Sequence, residues 1–148
     1  MSKANRKNSP RQILENLKAG NLRFPRGHRE NYVSVARRRS IAERQGPIAT
    51  ILTCSDSRVP PEHIFDQGLG DLFLVRTAGS IIGGIELGSL EHGCKHLQTG
   101  LLLVLGHSRC GAVTAAVRGK GKSGFIQAVV DSIAPIVNKI SVQKEILH

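Results

Sequence analysis

Apolar residues gather in three short runs: 48–53 (IATILT), 72–75 (LFLV) and 101–105 (LLLVL). The first and last are bounded by glycine or proline and read as strands buried on both faces of a parallel sheet; 72–75, entered from a turn over 68–71, reads as their partner. Elsewhere the pattern takes the period of helices. Ile13, Leu14 and Leu17 give a short amphipathic helix from Pro10, which Gly20 is expected to end. A polar segment with Phe24, Pro25 and Gly27 leads to a second helical stretch over 33–45, and Gly46-Pro47 breaks the chain before the first strand.

After that strand, 61–65 offers one short helical turn. A glycine-bearing loop over 77–84 precedes a crossover helix over 85–97, closed by Thr99-Gly100. Strand, helix and parallel strand in this order predict a right-handed crossover. A helix is expected from Cys110 through Val117, then a Gly/Lys/Ser spacer over 119–124. A last amphipathic stretch carries Phe125, Val129, Ile133 and Val137, with Pro135 expected to kink or break it. The fold class is α/β: a short parallel β-sheet flanked by helices, with an N-terminal helical arm. Residues 1–9 are expected to be disordered, and 10–148 to form one domain, with the arm over 10–45 and the α/β core over 46–148.

A length of 148 residues suits one domain with a real core. No apolar run approaches the roughly 18 residues of a membrane span, and the basic, polar N-terminus lacks the apolar core of a signal peptide, so a cytoplasmic location is expected. The formal charge of +10 is concentrated toward the N-terminus, including Arg37-Arg-Arg39 and Arg44. The simplest reading is a solvated basic face. A nucleic-acid module is the competing reading, but nothing aromatic interleaves with the charges to stack on single strands, and neither a nucleic-acid nor a membrane partner is expected.

The candidate chemistry follows the first and third strands. Ligands bind outside the carboxyl ends of strands in an open α/β sheet. Cys54-Ser-Asp-Ser-Arg58 and His107-Ser-Arg-Cys110 would therefore share one rim although they lie far apart in sequence. Cys54, His107 and Cys110 make three of the four ligands tetrahedral zinc prefers, leaving the fourth position for water or Asp56. Thiolates disfavour magnesium and calcium and leave other transition metals open. Arg58 can hold Asp56 off the metal while Asp56 orients a metal-bound hydroxide; released, Asp56 can close the site as fourth ligand. Cys94, with Ile85, Leu90 and Leu97 at helical spacing, is expected in the core. His28, His63, His92, His96 and His148 lack partners at ligand spacing, and Glu62, Asp66, Asp71 and Glu86 read as solvated or turn-forming residues.

These residues carry a family resemblance. CSDSRVPPEHIFDQGLGDLFLVRTAG (54–79), the Gly-Ile-Glu-Leu segment (84–87), LLLVLGHSRCGAV (101–113) and the arm-like ILENLKAGNLRF (13–24) resemble β-class carbonic anhydrases. The resemblance implies Zn2+ on Cys54, His107 and Cys110, the Asp56–Arg58 dyad beside it, and reversible hydration of carbon dioxide to bicarbonate and a proton. It also implies a homo-oligomer, dimeric or tetrameric, with active sites near subunit interfaces and the arm embracing a neighbour. Gln45 and Phe73 match substrate-binding positions of some branches. Leu87 stands where those branches place a tyrosine, and Ser80 where an asparagine is common. The family usually continues beyond the position of His148, so a short member is expected. A zinc-bearing but inactive or regulatory homologue, or a hydrolase of another small molecule such as carbon disulfide, is the alternative function.

Overall fold

The computed structural model describes residues 8–28, 30, 33–119 and 124–146. Three parallel strands, β1 (Ala49–Cys54), β2 (Leu72–Thr77) and β3 (Leu101–Leu105), lie in the order β2-β1-β3. Thr53 pairs with Arg76 on one side and Leu105 on the other, so all three strands end at one rim. As the middle strand, β1 is buried at every position. β3 alternates instead: Leu101, Leu103 and Leu105 pack against Ile13 and Leu17, while Leu102 and Val104 on the opposite face are exposed. The expectation of burial on both faces therefore fails for β3, because the helix on that side packs chiefly on β2.

Among the described residues, six α-helices accompany the sheet: α1 (Pro10–Arg23), α2 (Val35–Ser40), α3 (Pro61–Ile64), α4 (Gly84–Glu91), α5 (Gly111–Val117) and α6 (Phe125–Ile146). α1 begins in a capping box: the Ser9 hydroxyl accepts from the Gln12 N–H and the Gln12 side chain accepts from the Ser9 N–H. Ser9 is thus part of the helix terminus and not of a disordered tail; residues 1–7 lie outside the described residues, as do 120–123 of the expected spacer and His148. Gly20 does not end α1. It falls on the buried face set by Ile13 and Leu17 and lets the helix backbone approach the Phe65 carbonyl, where a Cβ would collide.

The arm is also held by charge. Arg23 donates from Nε to Asp66 Oδ2 at 2.6 Å, and the Glu30 N–H donates to the same oxygen at 3.0 Å. Of its two expected roles, solvated or turn-forming, Asp66 takes the second: it lies in a turn and is fully buried. Its left-handed backbone (φ 47°) turns it inward, and the guanidinium compensates the desolvated charge. Asp71 does close a turn, accepting from the Gly68 N–H while also pairing with Arg37. Arg23 and Arg37 are therefore ion-paired rather than simply solvated.

α2 occupies only part of the expected 33–45 stretch. Ser34 caps it, no residue of it is buried, and three consecutive arginines give it no apolar face to extend. The expected crossover helix divides into α4 and a π-helical turn, His92–His96. There Gly93 sits so close to Thr50 and Phe73 that a side chain would clash. That turn leaves Cys94 half-buried rather than in the core. α6 continues through Pro135 without a break, because Val130 and Ile133 before it and Val137 after it are all packed in the cluster with α5.

Gly20→Ala tests the arm's packing. Helix propensity alone would stabilise the variant by about 1 kcal/mol, whereas forcing a methyl into packed backbone costs about 1–3 kcal/mol. Urea unfolding is expected to show a net loss of up to about 2 kcal/mol; a gain would contradict the close approach to Phe65.

Candidate metal centre

Cys54 is the last residue of β1, and His107 follows β3 after Gly106. Cys110 is the residue that caps α5. Their ligand atoms lie within 4.8 Å of one another. The Cys54 and Cys110 sulfurs are 3.9 Å apart. That is far too long for a disulfide, but two sulfurs bound at ~2.3 Å to a tetrahedral ion stand roughly 3.8 Å apart. His107 Nδ1 lies 2.9 Å from the Ser108 carbonyl, which assigns its proton to that nitrogen and leaves Nε2 with a lone pair. Nε2 is buried and has no hydrogen-bond partner. Two buried thiols and an orphaned imidazole nitrogen converging on one point fit a soft divalent metal.

Burial alone would push the Cys54 thiol up, but the polar groups around the sulfur outweigh it: the neighbouring His107 ring, the backbone amides of Asp56 and Gly79, and Cys110 bring its pKa down to about 7. The Gly79 N–H donates to Cys54 Sγ at 3.4 Å. The thiolate, the ligand form, is thereby far more accessible at neutral pH than in an ordinary cysteine.

Asp56 borders this donor set, with Oδ2 4.0 Å from His107 Nε2. Arg58 grips it in a fork: Nε reaches Oδ1 at 2.9 Å and Nη2 reaches Oδ2 at 2.7 Å, and the Arg58 N–H donates to Oδ1 at 2.9 Å. These bonds hold the Asp56 carboxyl far below the usual carboxylate range and raise the Arg58 guanidinium. Arg58 Nη2 also reaches the Arg109 carbonyl at 3.3 Å, tying the loop after β1 to the loop after β3. Arg109 itself is left-handed (φ 58°), the conformation that turns the chain between His107 and Cys110.

Two further residues shape the site without having been singled out in the sequence. Arg76, near the end of β2, donates from Nε to the Cys54 carbonyl at 3.0 Å and from Nη2 to the Asp56 carbonyl at 2.8 Å. It holds the Cys54–Asp56 turn; an arginine directly after the apolar run Leu72–Val75 was its only signal. Gly79 is the second, concealed in a loop expected only to contain glycines. The other expected site residues lie elsewhere. Phe73 pairs with Thr50, four residues from Cys54 along β1, or roughly 13 Å. Its ring packs on the Leu52, Val75 and Leu90 cluster, 5.8 Å from the His92 ring. Gln45 is exposed and precedes β1, at the end of the sheet away from the cysteines. His28, His63, His92 and His96 are exposed, the last two stacked at 5.2 Å. No helix among the described residues is long and apolar enough to cross a membrane.

A family model described as carbonic anhydrase matches residues 49–148. Carbonic anhydrase 2 of Mycobacterium tuberculosis is 47% identical over 126 residues, which make up 82% of this chain and 61% of that protein. A carbonic anhydrase of Mycolicibacterium smegmatis is 43% identical over 126 residues, with the same 82% and 61% coverage. The chain thus spans about three fifths of the length of these curated relatives. Among solved structures, the β-carbonic anhydrase CcaA is similar with a TM-score of 0.58 at 29% identity, over 80% of this chain and 55% of that one. CafA of Aspergillus fumigatus, a β-carbonic anhydrase, shares the fold with a TM-score of 0.66 at 22% identity, over 92% of this chain and 63% of that one. With the family model covering well over half its length, the chain belongs to the β-class carbonic anhydrase family.

Proposed function

We propose that this chain is a zinc enzyme that reversibly hydrates carbon dioxide to bicarbonate and a proton, acting in the cytoplasm as a homo-oligomer. The observation that carries the reading is the buried Cys54–His107–Cys110 donor set bordered by an aspartate that an arginine fork holds in place. Those three residues would hold the ion. When bound, it would supply Lewis acidity at a fourth position, lowering the pKa of water there to about 7.

The chain's own residues do the rest. Asp56, ionised throughout the physiological range, would accept a hydrogen bond from the attacking oxygen and so set its direction. Arg58 keeps the carboxylate beside the donor set rather than among the ligands. Arg76 fixes the turn from which Asp56 projects, through the carbonyls of Cys54 and Asp56. Released by Arg58, Asp56 would be free to join Cys54, His107 and Cys110 in holding the ion and so to close the site.

Gln45 and Phe73 lie toward the other end of the sheet, so their proposed substrate contacts are made across an assembled interface. The bare face of β3, where Leu102 is 49% and Val104 65% exposed, supports association.

Stopped-flow hydration, zinc content and mass measured on one purified sample test the reading. About one zinc per chain, an oligomeric mass and fast hydration are expected. Cys54→Ser should lose both zinc and activity. Zinc at that level without hydration would instead select the inactive homologue or the carbon disulfide reading.

Arg58→Ala should keep zinc and lose activity by about 100-fold, and a crystal structure of it should show Asp56 on the metal. An aspartate still clear of the metal would refute the closing role. For Arg76→Met the expectation is a roughly tenfold fall in kcat at unchanged zinc content, read by the same hydration assay.

A further inference from the structure

The 3-10 turn Ala78–Ser80 after β2 carries two consecutive left-handed residues, Gly79 (φ 72°) and Ser80 (φ 56°). Ser80 has no glycine's freedom there, so tertiary contacts must hold the turn. The Thr77 hydroxyl donates to the Ile81 carbonyl across it at 2.7 Å. The rest of the support comes from α5 and α6. A methyl built on Gly79 would lie 2.6 Å from Ile133 Cδ1 and 3.2 Å from Ala112 Cβ, so those two side chains fill the space over its Cα. Ile133 is itself 6% exposed and fixed in the cluster with Ala116 and Val130. On its other side, the Gly79 N–H points at Cys54 Sγ.

From this arrangement we infer that Ile133 is a positioning residue for the metal ligand Cys54: its δ-methyl, seated on Gly79, holds the amide that hydrogen-bonds the ligand sulfur. The inference rests on the proposed metal role of Cys54 and extends it to a helix that contributes no ligand. An amide aimed at a thiolate withdraws electron density from sulfur and fixes its direction. Partners of this kind typically tune metal affinity severalfold or more. Only glycine leaves room at position 79 for both contacts, since any Cβ would displace either Ile133 or the turn.

Ile133→Val removes the δ-carbon nearest Gly79 and keeps the β-branch. Val130→Ala removes more carbon from the same cluster, and no Val130 atom is among the three nearest to a methyl at position 79. Each variant is loaded with cobalt(II), whose thiolate-to-metal charge-transfer band reports the electron density on sulfur, and zinc affinity is measured by chelator competition. In Ile133→Val the band should move to lower energy and zinc should bind about tenfold more weakly, with one metal per chain at saturation. Ala112→Gly, which removes the other neighbour, should shift the band in the same direction, and Val130→Ala should leave it in place. An unmoved band in Ile133→Val, or an equal shift in Val130→Ala, would overturn the inference while leaving the metal site standing. Absence of any thiolate band in the parent protein would remove the metal reading and the inference with it.

Discussion

The parallel pairing of β1 between β2 and β3 is the constraint on which the site depends. Side chains alternate faces along a strand, so a slip of one residue would send Cys54 to the opposite side of the sheet. The register is held at the end nearest the cysteines. The buried Thr53 hydroxyl donates to the Leu105 carbonyl at 2.9 Å, and the ladder with β2 continues past the strand through the Ser55 N–H on the Thr77 carbonyl. These contacts carry a two-residue path from Leu105 to His107 and a two-residue path from Cys54 to Asp56 to one place. Arg58 then spans the gap between the loops, from Asp56 on one to the Arg109 carbonyl on the other.

Much of this was legible in the sequence because it follows from strand periodicity. Three apolar runs placed the strands within a residue or two, and two polar motifs at strand ends implied a shared rim. The Cys54–His107–Cys110 group is what that logic demands. Other features were hidden because they depend on what lies opposite in space. Gly20 has the local character of a helix terminator, and only the Phe65 backbone across from it makes glycine a helix-interior requirement. Asp66 has the character of a solvated loop acid until Arg23, 43 residues earlier, is brought onto it. Pro135 should end a helix on local grounds, yet packing on both sides of it carries α6 through.

The same distinction separates the ligands from the groups that aim them. Ligand chemistry is a property of residue type, so cysteine and histidine announce themselves. Arg76 and Gly79 act through a backbone carbonyl and a backbone N–H, and neither function is written in residue type. Arg76 works on Cys54 and Asp56 by their main chain, from the end of a strand that begins with four apolar residues. The result is a metal-competent centre whose donor atoms come from the end of β1 and the loop after β3, while its geometry is enforced by a third segment, the end of β2 and the turn after it.

The Arg58 fork also decides what Asp56 can do under the proposed function. A general base is most effective when its pKa lies near the working pH. Two side-chain bonds and one backbone bond from Arg58 stabilise the ionised form of Asp56 and hold its carboxyl far from that range. Such a group is a strong hydrogen-bond acceptor and a poor proton store. Under that proposal Asp56 would orient the attacking oxygen without keeping its proton, and the proton released in each cycle would leave by another carrier. The contact that disqualifies Asp56 as a base is the same contact that keeps it from becoming a ligand: as long as Arg58 occupies both carboxylate oxygens, Asp56 has no free edge to offer a metal at strength. Orientation and exclusion are thus two consequences of one ion pair, and a perturbation that weakens that pair alters both together.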